Sequence, residues 1–99
     1  MNLQEVAAGM TKRSAGKNGV GGTIKFDLGA DGCIYIDGTG AGNVITANKN
    51  DPAKCTIRMK ASDFNDLITG KLQGTVAFMQ GKMKVDGDMG LAMKLGQLV

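Results

Sequence analysis

Between Ala77 and Leu95 the hydrophobic period of this chain changes twice, so more than one element must follow in close succession. Val76, Met79 and Gln80 fall at i, i+3 and i+4, a helical spacing. Gly81 offers the left-handed residue that ends a helix, and together these predict a short helix over 75–80. From Lys82 the pattern is strict alternation: Met83 and Val85 point one way, Lys82, Lys84 and Asp86 the other, as in a strand with one face in the core and one in water. Gly87 then turns the chain, and Asp88 stands where it can accept backbone N–H bonds at the start of a second helix. Met89, Leu91, Ala92, Met93 and Leu95 are spread around that helix, which therefore needs cover on several sides.

The rest of the chain supplies the cover. Leu3, Val6, Ala7 and Met10 have the spacing of an amphipathic helix, with Lys12 and Arg13 at its negative end. A glycine-rich connector follows over 16–22. Gly9 and Gly16 are too far apart for a phosphate-binding loop, and Lys17 precedes Asn18 instead of Ser or Thr, so nucleotide binding is set aside. Ile24, Phe26 and Leu28 alternate inward, a turn over 29–32 leads into a second strand over 33–37, and a third is expected over 43–47. Past Pro52, Cys55, Ile57 and Met59 share one face of a fourth strand. Ser62 is the expected cap of the next helix, with Asp63 and Asp66 in its first turn, Phe64, Leu67 and Ile68 on its buried face, and Gly70 at its far end. With 82–86 as the fifth strand, the expected fold is α+β: a five-stranded, mostly antiparallel sheet with short helices packed on one face. Residues 1–99 are expected to form a single domain.

Composition narrows the chemistry. There is no histidine, which removes the commonest general base near neutral pH and the commonest metal ligand. Asp86 and Asp88 flank Gly87, yet one lies on the polar face of a strand and the other is placed as a cap. No catalytic constellation emerges, and neither a metal nor a cofactor is expected. Cys33 and Cys55 each open an alternating segment on its apolar face without Cys-x-x-Cys spacing, and they read as small buried hydrophobes of a reducing compartment. Twelve basic residues against nine acidic ones give a mild positive field, suited to transient contact with an anionic membrane and too sparse for a nucleic-acid binder. No apolar run is long enough to span a bilayer.

The segment from Lys54 to Leu95 resembles the sterol carrier protein type two family of sterol and lipid transfer domains. The resemblance is carried by Ser62-Asp63-Phe64, by Thr69-Gly70-Lys71-Leu72 and by the run Ala77-Phe78-Met79-Gln80-Gly81-Lys82-Met83-Lys84-Val85-Asp86-Gly87-Asp88-Met89-Gly90-Leu91-Ala92-Met93-Lys94-Leu95. It implies an apolar tunnel enclosed between sheet and helices, and a non-enzymatic intracellular carrier of fatty acids, fatty acyl-CoA or sterols, acting as a monomer. The alternative it leaves open is an accessory module that presents lipid substrates to a lipid-metabolising enzyme. Members usually open with a longer helical segment than this one. The chain ends in Gln97-Leu98-Val99, not in the Ser-Lys-Leu type of peroxisomal address found in several eukaryotic members, so the cytoplasm is the expected compartment, with the peroxisome the alternative that the resemblance leaves open.

Six methionines beyond the first residue, Met10, Met59, Met79, Met83, Met89 and Met93, stand out in a chain with no tryptophan. Methionine fills irregular gaps in cores and also lines surfaces that adapt to apolar ligands, and composition alone leaves both readings standing. The gathering of four in the final third of the chain favours the ligand. Gln80, if turned inward, needs a partner: a lipid hydroxyl or carboxyl, or a backbone carbonyl at the helix end. The candidate lipid-binding set is Ile68, Leu72, Val76, Phe78, Met79, Gln80, Met83, Val85, Met89, Leu91, Met93 and Leu95, with 89–98 as the candidate lid.

Overall fold

The computed structural model describes residues 2–94. Helix α1 (Leu3–Ser14) is capped by Asn2, whose Oδ1 accepts from the backbone N–H groups of Gln4 and Glu5 at 3.0 and 3.2 Å. It buries Leu3, Ala7 and Met10, and Arg13 in its last turn donates through Nη1 to the carbonyl of Ile68. Strands β1 (Thr23–Asp27) and β2 (Cys33–Asp37) form a hairpin around a single 3-10 turn at Gly29–Asp31. Strand β3 (Val44–Ala47) pairs antiparallel with β2, and β4 (Cys55–Met59) runs parallel to β1. Helices α2 (Ala61–Ile68) and α3 (Gly74–Met79), strand β5 (Met83–Gly87) and helix α4 (Met89–Met93) complete the described chain. The sheet order is β3-β2-β1-β4-β5, and β1 with β4 is the single parallel pair.

Register decides which face is greasy. Ile36, Ile24 and Cys55 align across the three central strands, as do Ile34, Phe26 and Ile57, and all six side chains are fully buried. They meet Leu3, Ala7 and Met10 of α1 and Phe64, Leu67 and Ile68 of α2 in one continuous core. The Phe26 and Phe64 rings are 4.9 Å apart between centroids and tilted by 47°. On the opposite face Tyr35 is covered by the chain beyond β3: its hydroxyl donates to the carbonyl of Pro52 at 2.9 Å, and Lys49 Nζ lies 4.9 Å from its ring centroid. Cys33 and Cys55 are free and buried. Burial pushes the Cys55 thiol pKa up, and the charges of Asp88 and Asp86 push it the same way.

Three expectations about local structure need correcting. Ser62 does not cap α2. Met59 ends β4 and Ala61 begins the helix, so Lys60, in extended backbone, is the sole connecting residue, and its carbonyl accepts the first helical bond from Phe64 at 2.9 Å. Ser62 therefore falls inside the first turn, exposed, and the start has no side-chain cap. Asp66 lies beyond that first turn, where its carbonyl accepts from the N–H groups of Lys71 and Leu72. Strand β5 starts one residue later than alternation alone predicts, because Met83 opposes Met59 and Gly87 opposes Cys55.

Candidate functional site

Two helix ends frame the site. At the end of α2, Gly70 takes a φ of +83° while Lys71 donates to the Asp66 carbonyl at 2.9 Å and Gly70 to that of Leu67 at 3.4 Å. At the end of α3, Gly81 (φ +73°) repeats the arrangement: Lys82 donates to Ala77 at 2.9 Å and Gly81 to Phe78 at 3.2 Å. Each glycine closes its helix and reverses the chain, so α3 is held as a short crossbar beside β5. At the other end of β5, Asp88 caps α4 as its position predicts, Oδ1 accepting from Gly90 at 2.8 Å and Leu91 at 3.3 Å. The cap fixes the rotation of α4. Leu91 turns into the core against Gly22, where an added Cβ would come within 2.7 Å of Leu91 Cδ1, and the other side of the helix faces α3.

Between these parts lies a cleft of about 410 Å³. Met83 and Val85 of β5 form its floor. Gly74, Thr75, Phe78 and Met79 of α3 make one wall, and Met89, Ala92 and Met93 of α4 the other. Among the lining side chains only the Thr75 hydroxyl can form a hydrogen bond, and none carries a charge. A larger hollow of about 650 Å³ beside the start of α2 is unlike it: Asp27, Asp31, Arg58, Lys60, Lys82 and Lys84 all reach that wall. No group of described residues is arranged to hold a metal ion.

Of the twelve candidate residues, Phe78, Met79, Met83, Val85, Met89 and Met93 line the cleft. Ile68 and Leu91 are instead buried in the core, and Leu72 packs partly buried against it. Val76 and Gln80 point to solvent, so Gln80 is not an inward polar anchor. Leu95, with the far part of the candidate lid, lies outside the described residues. The cause of these misplacements is a rotation of α3. Its inward position is the fully buried Ala77, so the cleft receives the stripe Gly74, Thr75, Phe78 and Met79 and not Val76, Met79 and Gln80. Gly74, Thr75 and Ala92 were missed. Their signal is spacing: Gly74 and Thr75 stand four residues before Phe78 and Met79, and Ala92 three after Met89.

A mixed five-stranded sheet roofed by short helices, with an uncharged apolar cleft between its β5 edge and two of them, defines an α+β domain hollow on one side. The chain belongs to the SCP-2 sterol transfer family, whose family model matches residues 3–99. It is 39% identical over 84 residues to sterol carrier protein 2 of Homo sapiens, an alignment covering 80% of this chain and 15% of that protein, so the chain spans a small part of that relative. Among solved structures, the crystal structure of sterol carrier protein 2 like 2 from Aedes aegypti superposes with a TM-score of 0.73 at 18% identity, covering 98% of this chain and 94% of the other. A solution structure of palmitated SCP2L2 from Aedes aegypti has a TM-score of 0.67 at 20% identity, covering 96% and 87%. At those identities the two structures show likeness of fold.

Proposed function

We propose that this domain is a non-catalytic carrier that takes up one slender apolar lipid, a fatty acid, fatty acyl-CoA or sterol, and transfers it between membranes or to enzymes. The observation that carries the reading is the cleft: about 410 Å³ of space walled by four methionines, one phenylalanine and one valine, with no charged side chain. Each methylene of an alkyl chain moved into such a space contributes roughly 0.8 kcal/mol, offset by the freedom the lipid loses on binding. Methionine walls adapt to chains of different shape, and Thr75 offers a single hydroxyl to the headgroup, so selectivity among lipids is loose. The palmitated relative from Aedes aegypti supports an acyl chain as occupant. The monomer works in a reducing, cytoplasmic setting, which the two free thiols suit.

A second reading, an accessory module presenting lipid to an enzyme, is favoured by one observation: this chain matches only 15% of the human relative's length. Native mass spectrometry separates them. A co-purified lipid on the isolated domain, displaced by added palmitate, is the result expected of a carrier. A clean apo mass that palmitate at micromolar concentration leaves unchanged would remove the carrier reading.

A further inference from the structure

The hollow of about 650 Å³ beside the start of α2 is separate from the lipid cleft, because Lys82 and Lys84 reach it from the face of β5 opposite to Met83 and Val85. It lies where the parallel pair β1 and β4 ends: Asp27 and Leu28 come from one strand end, Arg58 and Lys60 from the other, and Lys82 and Lys84 from the neighbouring β5. Four cations and three carboxylates line it. The carboxylates do not cancel the lysines. Asp27 and Asp86 lie 3.7 and 4.0 Å from the guanidinium of Arg58, Asp63 stands in the first turn of α2, where the positive end of the helix draws it, and Asp31 also borders another hollow with Asn2 and Asn48. Lys60, Lys82 and Lys84 remain, all exposed and none in an ion pair among the described residues. In the β4–β5 register Lys84 stands opposite Arg58, like charge against like, an arrangement that costs stability. A local rule broken in this way is expected where a ligand supplies the missing charge.

We propose that this hollow is a second binding site, for the phosphoryl group of an organic phosphate. Three ammonium groups around one space suit a group with nearly two negative charges and three acceptor oxygens better than a carboxylate with a single charge. Leu28 and Met59, both buried, give the same space an apolar lining, so the organic part of the ligand has a surface to lie on. Such a phosphate arrives either as a soluble molecule or on the head of a lipid whose tail occupies the cleft. β5 is the edge of the sheet, and a flexible head can pass around that edge from one face to the other. The recognition is the same in both cases, and it stands whether or not the cleft carries lipid.

The test uses adenosine diphosphate and adenosine as probes, read by NMR of carbon-13 methionine methyl groups, with Met59 reporting on the hollow and Met79 and Met93 on the cleft. Adenosine diphosphate is expected to shift Met59 saturably and to leave Met79 and Met93 in place, while adenosine moves none of them. Lys82→Gln combined with Lys84→Gln is expected to weaken that binding about tenfold. Lys12→Gln combined with Lys71→Gln removes the same net charge away from the hollow and is expected to weaken it by less than about twofold. Palmitoyl-CoA, which carries the same diphosphate on a lipid tail, identifies the source. Met59 moving with Met79 and Met93 in one saturation supports a phosphate borne by the guest of the cleft, whereas Met59 shifted by adenosine diphosphate alone supports a soluble ligand. The proposal is overturned if adenosine diphosphate at low millimolar concentration gives no saturable shift at Met59, if adenosine shifts Met59 equally, or if the two lysine pairs weaken binding to the same extent.

Discussion

Over β1, β2, β3 and β4, helices α1 and α2 press Met10, Phe64 and Leu67 against a core that includes Ile24, Phe26, Ile34 and Ile57, and each of these side chains is at most 2% exposed. Over β5, by contrast, α3 and α4 bury one residue each, Ala77 and Leu91. Apolar residues are no scarcer in α3 and α4 than in α1 and α2, so the difference lies in helix length and in the size of the inward residue. Twelve residues in α1 and eight in α2 give several turns of interlocking side chains, whereas six and five give one inward position. When that position in α3 is an alanine, the helix covers the sheet without filling the space beneath it. A solid half thus carries stability, and a hollow half is left open to a guest.

A single substitution does most damage in the solid half. Phe64→Ala removes a ring packed on Phe26 and is expected to cost about 3–5 kcal/mol in urea unfolding. A loss below about 1 kcal/mol would show that the filled half does not hold the fold. In the hollow half Phe78→Ala is expected to weaken palmitate binding about tenfold, roughly 1.4 kcal/mol, while unfolding stability moves by no more than about 0.5 kcal/mol. Equal losses of stability in these two variants would erase the distinction. Asp88→Ala removes both capping bonds of α4 and is expected to cost about 1 kcal/mol, with a larger relative effect on ligand retention than on the unfolding midpoint.

The smallest effect is titration of Cys55. Its folded-state pKa lies above the unfolded value because of burial, so the folded protein keeps a proton that the unfolded chain releases. That contribution is complete below the ordinary thiol range and is lost as pH rises through it, from about pH 8.5 upward. Stability of the parent should therefore fall more steeply between about pH 8 and pH 10 than that of Cys55→Ala, measured by urea unfolding at each pH. Parallel curves would contradict it.

Much of the frame was legible in the chain. Alternation located Ile24 and Phe26, Cys55 and Ile57, and Met83 and Val85 on buried faces, and Gly70, Gly81 and Asp88 marked the helix ends they were expected to mark. These signals are local, and local geometry enforces them. The rotation of α3 was not legible, because a six-residue helix containing Val76, Ala77, Phe78 and Met79 has apolar residues in consecutive positions and its spacing fits more than one inward face. Tertiary contact chose Ala77, and Val76 and Gln80 went to solvent. Ser62 was misread for a similar reason: serine is a good cap, but the end of β4 set where α2 begins. Leu91 was assigned correctly to an apolar environment and wrongly to the cleft, since the approach of α4 to Gly22 leaves no trace in spacing along the helix.

The methionines themselves allow the most direct test of a filled half beside a hollow one. With the methionine methyl groups labelled with carbon-13, palmitate titration followed by NMR is expected to shift and saturate the signals of Met79, Met83, Met89 and Met93, while that of Met10, fully buried in α1 and absent from the cleft lining, stays in place. A shift at Met10 as large as at these four, or no saturable shift at any of the four, would contradict the account.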